Sequence, residues 1–172
     1  MSNFSRTKIL TSIKSLDEIG LVLKKGVDII DFKDPSVGSL GALSIKQISF
    51  FLKSIPSNQL TSATIGDIKD IKIIKQKVIK LSKTSIDFIK IGFFFDEKRI
   101  KLLKNLKKLV KNKKIIAVLF ADKEPNVNLI REIKKIQFDG ILIDTKNKKT
   151  GNLRNYLSIK KLKDFIKVSK KQ

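Results

Sequence analysis

Three short segments place ionisable side chains inside otherwise apolar runs. "DIIDFK" (28–33) carries Asp31 and Lys33, "DFIKIG" (87–92) carries Lys90, and "GILIDT" (140–145) carries Asp144. Side chains on a strand alternate between its two faces. If Ile30 and Phe32 meet a helical layer, Asp31 and Lys33 point to the opposite side. By the same parity Ile89 and Ile91 face the helices and Lys90 points inward beside Gly92; Ile141 and Ile143 face outward and Asp144 inward. Buried lysine is rare and an unpaired buried charge is costly, so two lysines on the interior parity of separate strands argue for chemistry. An amine withdrawn from water beside a second cation gives up its proton more readily and attacks carbonyls. One lysine can then form a Schiff base while the second moves protons, with aspartates to orient them and to protonate leaving oxygens. The chain has no His and no Cys, which removes thiol chemistry and the commonest transition-metal ligand. The chemistry expected is that of a class I aldolase, with no metal and no organic cofactor.

Further polar residues fall at the C-terminal ends of strand-like runs: Ser62 and Thr64 in "LTSATIG" (60–66), Asp122 after "KKIIAVLFAD" (113–122), and Thr145. The loop "PSVGSLGA" (35–42), with Gly38, Ser39 and Gly41, could present backbone amides to a phosphate. It could equally be an ordinary turn into the next helix. Ser39, Gly41, Ser62, Thr64 and Asp122 are therefore the substrate-binding candidates.

These residues need a frame, and the hydrophobic pattern supplies one. Strand-like runs at 8–12, 28–33, 60–66, 87–92, 113–122 and 140–145 alternate with helical patterns at 16–26, 44–55, 72–83, 97–110, 127–136 and 159–171. Gly26 ends the first helix, Ser44 is a plausible N-cap for the second, and Ile100, Leu103, Leu106 and Val110 line one side of the fourth. Six such strand–helix units predict a parallel sheet with helical crossovers in a single α/β domain spanning 1–172. The strands are nearly continuous apolar runs, as expected where both faces are covered. No Gly-rich nucleotide fingerprint follows the first strand, where the sequence reads "SIKS". Polar residues at the C-terminal ends of many strands fit a TIM-type (β/α) barrel instead, with about six of its eight units present.

The chain of 172 residues carries 38 basic and 16 acidic side chains, a formal charge of +22. Such a surface invites a nucleic-acid reading. Of the 38 basic residues, however, only positions 6, 99, 131 and 154 are Arg, which leaves 34 Lys spread along the whole chain. Specific nucleic-acid surfaces lean on bidentate Arg, whereas dispersed Lys beside abundant Ile and Asn looks like the compositional drift of an AT-rich genome. No specific nucleic acid is expected as a partner. "MSNFSRTKIL" has neither the long apolar core nor the cleavage site of a signal peptide, and no run approaches the ~20 apolar residues of a membrane span. A cytoplasmic setting and a small-molecule partner are expected.

The blocks "GVDIIDFKDPSVGSLGA", "SATIGDI", "DFIKIG", "FAD" (120–122) and "DTKNKKTG" (144–151) share the order and spacing of one family. The chain resembles the (5-formylfuran-3-yl)methyl phosphate synthases of methanofuran biosynthesis, from Lys8 to the last helix. The resemblance implies a (β/α)₈ barrel that condenses two molecules of glyceraldehyde 3-phosphate, with loss of water and one phosphate. It implies that Lys33 is the Schiff-base lysine and Lys90 the proton acceptor, with Asp31, Asp144 and Lys148 as further catalytic residues. Family members continue past the sixth unit with two more strands and a "GVRG"-like stretch, so the chain reads as C-terminally truncated, and the phosphate site that such barrels place after strands seven and eight is not accounted for. Two alternatives stand beside the enzyme: a non-catalytic remnant or subunit completed by a partner chain or a second copy, and a basic nucleic-acid-binding protein.

Overall fold

A computed structural model describes residues 6–94, 97–110, 112–147, 149 and 151–170. Six strands form one sheet: β1 (Leu10–Ile13), β2 (Ile29–Phe32), β3 (Leu60–Thr64), β4 (Phe88–Gly92), β5 (Lys114–Phe120) and β6 (Gly140–Asp144). Every neighbouring pair is parallel, and the strands lie side by side in chain order. This order decides between the two parallel architectures, because a doubly wound sheet reverses direction at a switch point and this one does not. Helices follow each strand: α1 (Asp17–Lys24), α2 (Ile45–Leu52), α3 (Ile71–Ser82), α4 (Leu106–Leu109), α5 (Val127–Lys135), α6 (Leu153–Tyr156) and α7 (Ile159–Lys170). None is long and apolar enough to cross a membrane.

Among the described residues, α1, α2, α3, α5 and α7 pack on one side of the sheet. Ile30, Phe32, Ile89, Ile91, Ala117 and Leu119 of the strands join Val22 of α1, Ile48 of α2, Ile74 of α3, Ile130 of α5 and Phe165 of α7 in one core. The opposite face carries Asp31, Lys33, Ser62, Thr64 and Lys90, together with a second apolar cluster of Val118, Phe120 and Leu142. The alternation expected from the sequence therefore holds in β2, β4 and β6, and β5 alternates in the same way. The sheet also curls. On a flat sheet the four steps from β2 to β6 would separate them by about 19 Å. Yet Lys33, just beyond β2, stands 3.6 Å from Asp144 at the end of β6. The architecture is a curled parallel half-barrel with helices outside, of six strands rather than the eight of the complete barrel; β1 and β6 are the edges of the described sheet.

Local signals explain where the elements begin and stop. The Ser44 hydroxyl accepts from Gln47 N and the Gln47 side chain accepts from Ser44 N, a reciprocal cap that opens α2. Gly26 takes the left-handed conformation that ends α1 (φ 64°). Two elements depart from the sequence pattern. The helix expected over 97–110 is a 3-10 run (Glu97–Leu103) followed by the single turn of α4, because Asn105 between them is left-handed (φ 74°). Its apolar side survives the break, with Ile100, Leu103, Leu106 and Val110 all buried. The four-residue α6 was not expected, being too short to show a period; Asn152 caps it.

At the N-terminal ends of the strands one device recurs three times. Asp28, Asp87 and Asp139 stand just before β2, β4 and β6, and each accepts a hydrogen bond from a backbone N–H at the start of the preceding strand: Ile9, Thr61 and Ile115, all at 2.7 Å. The carboxylates thus stitch β1 to β2, β3 to β4 and β5 to β6 at the end remote from Lys33. The Ile9 N–H, with the Arg6 guanidinium beyond it, holds the Asp28 carboxyl below its ordinary value. A lowered native value means that this stabilisation is full above the unfolded carboxylate range and is lost as pH falls through the native one. Asp87→Ala should lower stability by about 1–3 kcal/mol, since it orphans the Thr61 N–H, and should leave the chemistry of the opposite end untouched. Urea unfolding measures the loss.

Candidate active site

Asp31 is the centre of the interior face. It is fully buried, and its two carboxylate oxygens accept three bonds from three other strands. The Ser62 hydroxyl on β3 donates to Oδ1 at 2.6 Å, the Ser12 hydroxyl on β1 to Oδ2 at 2.8 Å, and Lys90 Nζ on β4 to Oδ2 at 2.5 Å. Register makes this convergence possible. Ser12, Asp31 and Ser62 stand level across β1, β2 and β3, and Lys90 stands level with Thr64 one pleat further along. Lys90 is also buried, so the pair is a charge-assisted contact out of water, where a missing partner would be most costly.

Lys33 follows β2 on the same parity and comes level with Thr64, one residue beyond the Phe32–Ala63 pair. Two strand spacings therefore put it roughly 10 Å from Lys90 at the backbone. Its Nζ is paired with Asp144 Oδ2 at 3.6 Å, an ion-pair distance too long for a direct hydrogen bond. The other Asp144 oxygen accepts from Thr145 N at 2.8 Å. The two lysines thus meet different carboxylates, Lys90 a fully buried one and Lys33 a partly exposed one. A pocket of about 220 Å³ opens beside Lys33, lined also by Ser12, Lys14, Glu18 and Pro35. The Lys14 N–H, and with it the Ser15 N–H and hydroxyl, holds the Glu18 carboxyl below its ordinary value.

The loop after β2 folds across the interior. Leu40 is buried against Val118 and Phe120, and Thr64 Oγ1 donates to the Leu40 carbonyl at 2.8 Å. Asp67 grips the same loop, accepting from Ser39 N, Ser39 Oγ and Leu40 N. These amides face Asp67, so the bonding is that of a turn secured by its own contacts. Gly41 fits the same description: a Cβ there would come within 1.8 Å of the Asp34 carbonyl oxygen. Gly92 makes room for the plug, since a Cβ would strike Phe94 at 2.3 Å and Leu40 at 2.6 Å.

The structure therefore brings Asp31, Lys33, Ser62, Thr64, Lys90 and Asp144 to one interior face. Asp122 lies beyond β5 and accepts from Lys146 N at 2.8 Å, fastening the chain after β6. Ser39 and Gly41 belong to the clamped loop. Lys148 lies outside the described residues. Ser12 and Asp67 are additions that the sequence reading did not make. Ile13 packs in the outer core, so strand parity carried into β1 would have pointed Ser12 inward.

Comparison with known proteins gives a concordant result. The sequence model of the family described as 4-HFC-P synthase matches residues 9–172. The (5-formylfuran-3-yl)methyl phosphate synthase of Methanococcus aeolicus is 30% identical over 176 residues, 92% of this chain and 73% of that protein. The synthase of the same name from Methanococcus maripaludis strain C6 is 29% identical over 177 residues, 95% of this chain and 75% of that protein. Among solved structures, the CutC protein of Streptococcus agalactiae superposes with a TM-score of 0.76 at 13% identity, covering 96% of this chain and 84% of that one. That likeness speaks for the fold alone.

Asp31→Ala should lower stability by about 3–5 kcal/mol, because it leaves the Lys90 ammonium buried without its partner. Adding Lys90→Met to Asp31→Ala should recover much of that loss. Denaturant midpoints of the two single variants and the double variant measure the coupling.

Proposed function

Because this chain belongs to the 4-HFC-P synthase family, we propose that it forms (5-formylfuran-3-yl)methyl phosphate from two molecules of glyceraldehyde 3-phosphate through an imine on Lys33. The observation that carries this reading is the unequal pairing of two interior lysines. Lys90 Nζ lies 2.5 Å from the fully buried Asp31 carboxylate, while Lys33 Nζ lies 3.6 Å from Asp144 and lines an open pocket.

In the proposed sequence the Lys33 amine adds to the aldehyde of one triose and water leaves, forming the imine. The imine withdraws electrons from the adjacent carbon and makes its C–H acidic. Lys90, once its ammonium has handed a proton to the Asp31 carboxylate, takes the C–H proton as the neutral amine, and the enamine left behind attacks the carbonyl carbon of the second triose. Ring closure, loss of water and of one phosphate, and hydrolysis of the imine deliver the furan and restore Lys33. Aromaticity of the furan draws the sequence forward. Asp144 holds the Lys33 side chain toward the pocket, and Asp31 holds Lys90. The class I aldolase-like assignment follows from the imine, and the cytoplasm is the setting that suits a phosphorylated triose.

Incubation with glyceraldehyde 3-phosphate and borohydride, then digestion and mass spectrometry, should place a triose-phosphate adduct on Lys33 above the background of the surface lysines. Lys33→Met should abolish both that adduct and furan formation. Lys90→Met should retain the adduct and lower furan formation by about 10²–10⁴-fold, the usual contribution of a positioned proton acceptor. Normal furan formation by Lys33→Met would refute the proposal.

A further inference from the structure

We infer that Ser12 and Ser62 are the positioning residues of the proton-transfer step: they hold the Asp31 carboxylate from its two sides and through it fix Lys90 Nζ. The inference rests on the function proposed above. Terminal torsions of carboxylate side chains are broad, so a single contact to Lys90 would leave Asp31 free to turn and carry the ammonium with it. Here the turn is blocked at both oxygens. Ser62 donates to Oδ1 at 2.6 Å and Ser12 to Oδ2 at 2.8 Å, and both serines lie on strands directly beside Asp31 at the same level. An ionised carboxylate only accepts, and a serine hydroxyl is a small donor that fits beside it on a strand.

The two serines differ in what else they meet. Ser62 is buried, with its hydroxyl committed to Asp31 rather than turned toward a substrate. Ser12 also lines the pocket beside Lys33, so it stands between the place where the triose binds and the buried pair that handles its proton. Its position couples the two halves of the site: the wall that shapes the pocket is the hydroxyl that fixes the base. Neither serine is required for the imine, since Lys33 is held by Asp144 from the far strand.

The test separates imine formation from proton transfer. Protein and glyceraldehyde 3-phosphate are mixed in D₂O, the imine is reduced with borohydride at timed intervals, and the Lys33 peptide is weighed for deuterium at the carbon next to the former aldehyde. Ser12→Ala and Ser62→Ala should still form the Lys33 adduct, with deuterium entering it about tenfold to a hundredfold more slowly, the scale of one lost bond to a charged group. The pH profile of exchange should move in both variants, and Ser12→Thr, which keeps the hydroxyl, should recover most of the rate. Wild-type exchange in Ser12→Ala would overturn the inference. So would loss of the adduct together with exchange in that variant, because a role confined to Lys90 leaves the imine intact. Ser12 sits at the pocket, so Ser12→Ala keeps the test decisive even where Ser62→Ala does not fold. Absence of a Lys33 adduct in the wild-type protein would instead refute the function itself.

Discussion

A carboxylate with no access to water has to be neutralised where it stands, and Asp31 imposes that condition on the rest of the fold. Removing a carboxylate and an ammonium from water carries a penalty of several kcal/mol for each ion, which their attraction offsets only in good geometry with the remaining lone pairs satisfied. Asp31 meets the condition with one lysine and two serines drawn from three other strands. Four strands must therefore hold register with one another. A slip of one residue in any of them would turn its interior side chain into the helical layer.

The same requirement explains the division of the molecule into two ends. At the start of the strands, three aspartates tie neighbours together through backbone N–H groups and so fix register away from the site. At the far end the ionisable groups converge, and the loop after β2 is folded over them by Asp67 and Thr64. The backbone-stitching carboxylates and the cluster of interior ionisable groups thus lie at different levels along the strand axis. Such a separation allows a family to vary one end without undoing the other.

Much of this was legible in the sequence. Alternation in "DIIDFK", "DFIKIG" and "GILIDT" placed Asp31, Lys33, Lys90 and Asp144 on one face, because a strand buried on both faces tolerates a charge only where something pairs it. Chain-order pairing of the strands was legible only indirectly, through the missing nucleotide fingerprint and the polar residues at the strand ends, because strand order is a tertiary property. The break at Asn105 was hidden because the apolar residues on either side keep helical spacing through it. The stitching role of Asp28, Asp87 and Asp139 was not legible, since their backbone partners lie about twenty residues or more upstream. Ser12 was lost in a chain with many serines, and its meaning depends on a neighbour that only the register supplies. The glycine-bearing loop after β2 had two readings of equal standing, and its amides turn out to face Asp67.

The central claim is that one lysine carries the substrate while a second, held by Asp31, serves it. A crystal structure of the protein after borohydride trapping with glyceraldehyde 3-phosphate tests both halves at once. Continuous density should run from Lys33 Nζ into the triose, with Lys90 Nζ still bonded to Asp31 and facing the carbon next to the former imine. Density on another lysine, or a Lys90 turned away from Asp31 and the triose, would contradict it.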